Sequence, residues 1–201
     1  AGTFSLMLEV VDITQVLEDA IDLQAPQIEE KGLKLSLPEP HDPIIVNADP
    51  EKLKQVFLNV LSNAVKFTKL GSITISVRVE SSKNSPSNGS GESAIANSEN
   101  DLVVVTIEDT GVGIDPEQQQ KLFQPFVMAD GSTTREFGGN GLGLAISRRI
   151  MESMIGSISL HSAGVNQGTA VMISLPVNQQ SSFYFHSQDL VTEKGNSKSY
   201  D

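Results

Sequence analysis

Leu53, Val56, Phe57, Val60, Leu61 and Ala64 recur at the three- and four-residue spacing of one helical face. The polar positions of the same stretch are equally ordered: Asn59, Asn63 and Lys66 make a second stripe at i, i+4, i+7. Asparagine is a poor helix former because its side chain competes for backbone hydrogen bonds, so two in register need a purpose beyond solubility. Asp49-Pro50 supplies an N-cap and a proline at the first helical position. The helix is predicted to stop near Lys69 to Gly71.

Before this helix, residues 4–11 alternate loosely as a short strand, and Asp12 with Gln15 three positions on opens a helix. Its predicted stripe is Val16, Leu17, Ala20, Ile21 and Leu23, and Gly32 ends it. Leu33, Leu35 and Leu37 alternate as a half-buried strand that Pro38 and Pro40 break, and Ile44-Ile45-Val46 reads as another. After it, residues 72–80 alternate through Ile73, Ile75, Val77 and Val79, and residues 102–108 return antiparallel. A short helix opens at Asp115-Pro116 and runs through Leu122. A longer one is predicted over 142–154 with Leu142, Ile146 and Ile150 on one side. Strands follow at Ile158 and Leu160 and over 170–175. Hairpin-neighbour strands interrupted by helices in long blocks predict an α+β fold, a two-layer α/β sandwich with helices on one face of a mixed, mostly antiparallel sheet.

Three stretches lack periodicity. Residues 81–100 collapse into Ser, Asn, Gly and Glu, a composition that cannot bury enough apolar surface to offset ordering entropy. They read as a flexible hairpin insertion, with a partner-docking loop as the alternative. Residues 126–140 read as a mobile loop of a length that is usually functional inside a domain. Residues 179–201, polar apart from Phe183-Tyr184-Phe185, read as a tail or linker, leaving 1–178 as one domain.

Composition narrows the function classes. The 201 residues are 38% hydrophobic, enough for one core, and hold no Cys, which excludes a disulfide scaffold and fits a reducing compartment. No apolar run approaches the ~18 residues of a membrane span, so membrane contact by this stretch is not expected. The location expected is cytoplasmic, with the parent protein free to be membrane-anchored. The chain starts without Met, which suggests excision from something longer or processing. A net charge of -11 argues against a nucleic-acid partner. An anionic ligand would be held locally, by backbone amides, a metal ion and a few placed cations.

Three glycine motifs are candidates for that work. Asp109-Thr110-Gly111-Val112-Gly113-Ile114 follows a strand directly. Its glycines allow a sharp turn and a close ligand approach, and a carboxylate stands at the strand end. A capped turn with a structural Asp is the alternative. Gly138-Gly139-Asn140-Gly141-Leu142-Gly143-Leu144 ends the mobile loop and opens a helix, whose unpaired N–H groups suit phosphate. A dinucleotide fold would place such glycines after a strand, and here a loop precedes them. Gly168-Thr169, alone, reads as a turn into a strand.

In this order and spacing the segments resemble the ATP-binding catalytic domain of sensor histidine kinases, within the GHKL ATPase group that includes DNA gyrase. The N box is resembled by residues 59–67, the G1 box by 109–113, the F box by 123–126, the G2 box by 139–143, and the final glycine-threonine pair by Gly168-Thr169. The resemblance covers about residues 8–176. It implies MgATP as ligand, with Asn63 and Asn59 on Mg²⁺, Lys66 facing phosphate and Phe67 near the adenine or ribose, core packing being compatible for Phe67. It implies that Asp109 accepts the adenine amino group and that Thr169 completes that site. Gly111, Gly113 and Ile114, Phe123, and Gly139, Gly141, Leu142, Gly143 and Leu144 are expected along the nucleotide, under an ATP lid at 126–140. Arg135 is the lid's candidate for a γ-phosphate contact, a solvated surface Arg being the alternative.

Hydrolysing relatives in the group carry a water-activating Glu at the position of Asn59. An amide cannot take a proton from water at neutral pH, so the expectation is transfer of the γ-phosphoryl group to a histidine, in two-component signalling. Asn59, Asn63 and Lys66 are the expected catalytic set. His41 lies between prolines, His161 in a predicted strand and His186 in the tail, none in a setting like the family's acceptor motif. Ala1-Gly2-Thr3 resembles the sequence that follows the family's dimerisation hairpin, so the acceptor is expected upstream, on a dimerisation domain. A response regulator or receiver domain is an indirect partner, and the lid and G2 box resemble those of hybrid-type kinases. The alternatives are a nucleotide-binding module without turnover and a gyrase-type ATPase, the second disfavoured by Asn59.

Overall fold

The computed structural model describes residues 5–38, 42–80, 101–119, 121–125, 127 and 141–178. In chain order they form β1 (Glu9–Asp12), α1 (Ile13–Glu30), β2 (Lys34–Ser36), β3 (Ile45–Ala48), α2 (Pro50–Phe67), β4 (Ser72–Glu80), β5 (Leu102–Asp109), α3 (Pro116–Gln119), α4 (Gly143–Ser153), β6 (Ser157–His161) and β7 (Thr169–Pro176). The main sheet has five strands in the order β2-β4-β5-β7-β6, and β1 with β3 makes a separate antiparallel pair. Only β2 and β4 run parallel within the main sheet; its other pairs are antiparallel. The expected mixed, mostly antiparallel α+β sandwich is therefore the fold found.

Strand periodicity sets which face is covered. Register aligns Ile75, Ile107, Val171 and Leu160 across β4, β5, β7 and β6. The next row is Val77, Val105, Ile173 and Ile158. Thr74, Ser76 and Glu108, on the alternate parity, are exposed. The inward rows share one apolar core with Val16, Leu17 and Ala20 of α1, Leu53, Phe57 and Leu61 of α2, and Ile150 and Met151 of α4. Burying a side chain as large as Phe57 contributes ~1.5–3 kcal/mol, so α2, with seven buried residues, is held mainly by its apolar stripe.

The helix ends follow local chemistry. Asp12 caps α1 by accepting from the Thr14 amide at 3.0 Å. Asp49 caps α2 by accepting from the Lys52 amide at 3.0 Å. Gly32 takes φ +64 after α1, a left-handed turn that suits glycine.

Several sequence expectations shift. The first strand is Glu9–Asp12, paired with β3 in its own small sheet, so residues 5–8 are not strand. Leu23 is exposed and Ile28 takes the next buried turn; two residues past Ile21, Leu23 lies roughly 200° around the helix. Leu37 is exposed because β2 ends at Ser36. On α4 the buried residues are Ala145, Ser147, Ile150 and Met151, continued by Met154 at the C-cap, while Ile146 is exposed. Leu142 is only the N-cap, and Ile146 lies ~100° from Ser147 and ~140° from Met151, beyond the edge of the buried stripe. The expectations for 81–100 and 179–201 lie outside the described residues.

Candidate functional site

The inward parity of β5 runs Val103, Val105, Ile107 and then Asp109, so the fourth position of an apolar row is a carboxyl group. Register places it between Ile73 and Thr169. Its Oδ1 accepts from the Gly111 amide at 2.8 Å, and the Thr169 amide also donates to the carboxyl. Burial outweighs these bonds and pushes its pKa up to about 6. The Thr68 hydroxyl lies beside it, fully buried. It bonds to the carboxyl and pulls its pKa down, and Oγ1 has no other hydrogen-bond partner among the described residues. A buried hydroxyl beside a buried carboxyl makes a polar spot at the edge of an otherwise apolar row.

The backbone brings the C-terminal end of α2 to this carboxyl. Val112 N–H donates to the Phe67 carbonyl at 3.2 Å, and a Cβ on Gly111 would strike that carbonyl. Gly111 thus has no room for a side chain. The other wall is the turn before β7. Gly168 N–H donates to the Gly111 carbonyl at 3.2 Å and Asn166 N–H to the Val112 carbonyl at 2.6 Å. Gly168 takes φ +70, and a Cβ there would strike the Asp109 carbonyl. Gly113, at φ +63, abuts the Gly164 carbonyl. The expected G1 motif and Gly168-Thr169 pair therefore meet backbone to backbone. The turn reading left open for each from sequence is also true, because the turns form the pocket walls.

Along α2, Asn59, Asn63, Lys66 and Phe67 are all half-buried. Lys66 Nζ stands 4.9 Å from the Phe67 ring centroid. Asn59 reaches α4: its Nδ2 donates to Ser147 Oγ at 3.0 Å, and a Cβ on Gly143 would strike its Oδ1. Leu142, the N-cap of α4, makes no side-chain capping bond. Gly141 takes φ +66, and Gly141, Leu142, Gly143 and Leu144 are half-buried at the mouth of this helix. The fold thus brings the asparagine stripe, the Asp109 turn, Thr169 and the start of α4 together. Arg135 and Gly139, with nearly all of the expected lid, lie outside the described residues.

Phe123 is placed differently. Its ring packs on the core and under the Arg148 guanidinium, 5.4 Å from the centroid. With Pro116, Gln119, Leu160 and His161 it lines an open groove of about 620 Å³ along β6.

Mg²⁺ takes oxygen ligands and commonly completes its octahedron with substrate phosphates and water. Among the described residues no group of three His, Asp or Glu side chains could hold a metal ion, so these residues offer no dedicated cage. Two uncharged amide carbonyls on one helix face fit a cation that arrives with phosphates, and adding carboxylates there would repel them. No helix among the described residues is long and apolar enough to cross a membrane.

Four contributors escaped the sequence: Thr68, Ser147, Ser162 and Gln119. Ser147 alone left a signal, a hydroxyl at a core position of the α4 stripe. Ser162 and Gln119 bond to backbone groups across distant turns, which no local pattern encodes.

The class of protein that this fold and site define is given by a family match. The model for histidine kinase-, DNA gyrase B-, and HSP90-like ATPases matches residues 48–179, and the chain belongs to that family. Its relatives are sensor and hybrid histidine kinases. The autoinducer 2 sensor kinase/phosphatase LuxQ of Vibrio harveyi is 31% identical over 180 residues, covering 89% of this chain and 19% of the relative. Hybrid signal transduction histidine kinase B of Dictyostelium discoideum is 35% identical over 163 residues, 81% of this chain and 8% of the relative. Full-length ShkA, solved in complex with AMPPNP, superposes with a TM-score of 0.65 at 28% identity, over 88% of this chain and 32% of that one. The chain therefore spans 19% or less of the length of these two curated relatives.

Proposed function

We propose that this chain is the MgATP-binding catalytic domain of a sensor histidine kinase, occupying residues 1–178. The observation that carries the reading is the buried Asp109 carboxyl beside the buried Thr68 hydroxyl, held by backbone bonds to the C-terminal end of the asparagine helix α2. An acceptor buried there favours the adenine amino group over the guanine carbonyl, because two acceptors left facing each other are costly. The AMPPNP bound by the ShkA relative supports an adenine nucleotide.

Asn59 and Asn63 would hold Mg²⁺ through their carbonyls, and Lys66 sets a point charge toward phosphate. Held there with the nucleotide, the ion would supply neutralisation of phosphate charge. Phe67, Gly111, Gly113, Ile114 and Thr169 line the base end, and Gly139, Gly141, Leu142, Gly143 and Leu144 the phosphate end. Arg135 completes the lid side. In transfer, a histidine imidazole nitrogen from a separate dimerisation domain forms the new bond to the γ-phosphorus, and the bond to the β–γ bridging oxygen breaks, releasing ADP. Asn59 offers no base for water, so transfer outruns hydrolysis. The phosphoryl group then passes to a response regulator or receiver domain.

Transphosphorylation tests this reading. With radiolabelled ATP, a dimerisation-domain partner should gain acid-labile phosphate, and Asn63→Ala should abolish the gain. MgATP binding without transfer would leave a non-catalytic nucleotide module. Label on His41, His161 or His186 of the chain itself would overturn the separate acceptor.

A further inference from the structure

Ser162 is buried between the two walls of the base pocket, at 3% exposure, in the turn that follows β6. Its hydroxyl accepts from the Ile114 amide at 3.0 Å and from the Gly164 amide at 3.3 Å. It donates to the Gly168 carbonyl at 2.6 Å, with the Gly164 carbonyl at 3.1 Å. One hydroxyl therefore ties the end of the Asp109 turn to the residue before Thr169. Gln119, the last residue of α3, pairs with the Ser162 main chain. Its Nε2 donates to the Ser162 carbonyl at 2.7 Å, and its Oε1 accepts from the Ser162 amide at 3.0 Å. The same Nε2 lies 3.3 Å from the Ile114 carbonyl.

Geometry carries this constraint to the pocket. Gly168 lies against the Asp109 carbonyl, and its amide holds the Gly111 carbonyl. Movement of Ile114 away from Gly168 would thus open the turn whose Gly111 and Thr169 amides set the Asp109 carboxyl. We propose that Ser162 and Gln119 are positioning residues for the base end of the nucleotide site, acting through Ile114 and Gly168 without touching the ligand. The inference rests on reading that site as one for ATP.

Because the constraint bears on the base pocket and not on the asparagine face of α2, its loss should be felt by adenine recognition. Replacing Ser162 with Ala removes the acceptor of the Ile114 and Gly164 amides and the donor to the Gly168 carbonyl. Gln119→Glu keeps the shape and the acceptor but removes the donor to two carbonyls.

The test is calorimetric titration of the chain with MgATP and with MgGTP, for the parent, Ser162→Ala and Gln119→Glu. Ser162→Ala should weaken MgATP about tenfold, the worth of roughly one hydrogen bond, and change MgGTP less than about twofold. Gln119→Glu should move the same ratio in the same direction, and it carries the test if Ser162→Ala does not fold. Unchanged MgATP affinity in the folded variants overturns the positioning role. So does an equal loss for both nucleotides, the mark of general loosening. A parent chain that binds no MgATP, or both nucleotides alike, overturns the ATP reading itself before any variant is compared.

Discussion

The Asn59 side-chain amide donates to the Ser147 hydroxyl at 3.0 Å across 88 residues of sequence. The bond fixes the amide's orientation and aims its carbonyl at Gly143, where α4 begins. A double-mutant cycle with Asn59→Ala and Ser147→Ala should show coupling of about 0.5–1.5 kcal/mol in urea unfolding. Additive losses would mean that the pair does not act as one unit. Ser147→Ala alone should also weaken MgATP, although its hydroxyl is given no contact with the ligand.

Asp109 sets a pH dependence whose sign runs opposite to that of a salt-bridged carboxylate. Its folded pKa of about 6 lies above the ordinary 3.8, so the folded chain holds the proton more tightly than the unfolded one. That contribution to stability is fully present below pH ~4 and is lost as pH rises through ~6, at most about 3 kcal/mol. Asp109→Asn should flatten this slope and raise the unfolding midpoint at pH 7.5. The same change should erase the preference for ATP over GTP, and in the parent MgATP affinity should climb through pH 6 as the carboxylate forms. A parent chain whose stability rises between pH 4 and 6.5 while Asp109→Asn matches it at every pH would contradict the assignment.

Lys31 supports the end of the asparagine helix. Its ammonium donates to the Val65 carbonyl at 2.7 Å and lies 3.3 Å from the Lys66 carbonyl. A cation at a helix C-terminus satisfies orphan carbonyls and opposes the dipole. Lys31→Met keeps the aliphatic stem and should cost about 1 kcal/mol in urea unfolding. An unchanged midpoint would show that water replaces the ammonium without loss.

Ile155 takes φ +60 just after α4 and is 84% exposed. A left-handed conformation is strained for a β-branched residue, by roughly 1–2 kcal/mol. Since little burial is at stake, Ile155→Gly should raise the melting temperature by a few degrees. A lower melting temperature would reveal packing that outweighs the strain.

Much of this architecture was written in short-range periodicity. The α2 stripe is buried as predicted, and the β4 alternation holds at Ile73 and Ile75 but fades toward the far end of the strand, where Val77 is half-buried and Val79 exposed. The α1 and α4 stripes were read less well where an apolar residue, Leu23 or Ile146, lay off the true face. The asparagine pair announced itself as a cost without a local return. The Ser162 and Gln119 bonds could not be read in the same way, since they depend on which turns meet. The small β1–β3 sheet was hidden for a related reason: its pairing joins segments on either side of α1 and carries no alternation long enough to mark it.

The long pairing of β4 with β5 separates two demands on one hairpin. At one end Ile73 faces Asp109, and at the other Glu80 faces Leu102; seven residue steps put these ends ~24 Å apart. The chain leaves and re-enters the sheet at that far pair, so residues 81–100 attach at a port remote from the pocket. Doubling the length of a connection costs only about 0.6 kcal/mol in closure entropy. The hairpin can therefore accept sequence of new length or content at its far end while the pocket end keeps its tolerance of a fraction of an ångström. A reporter domain or peptide tag inserted there should be carried without a change in what the pocket binds.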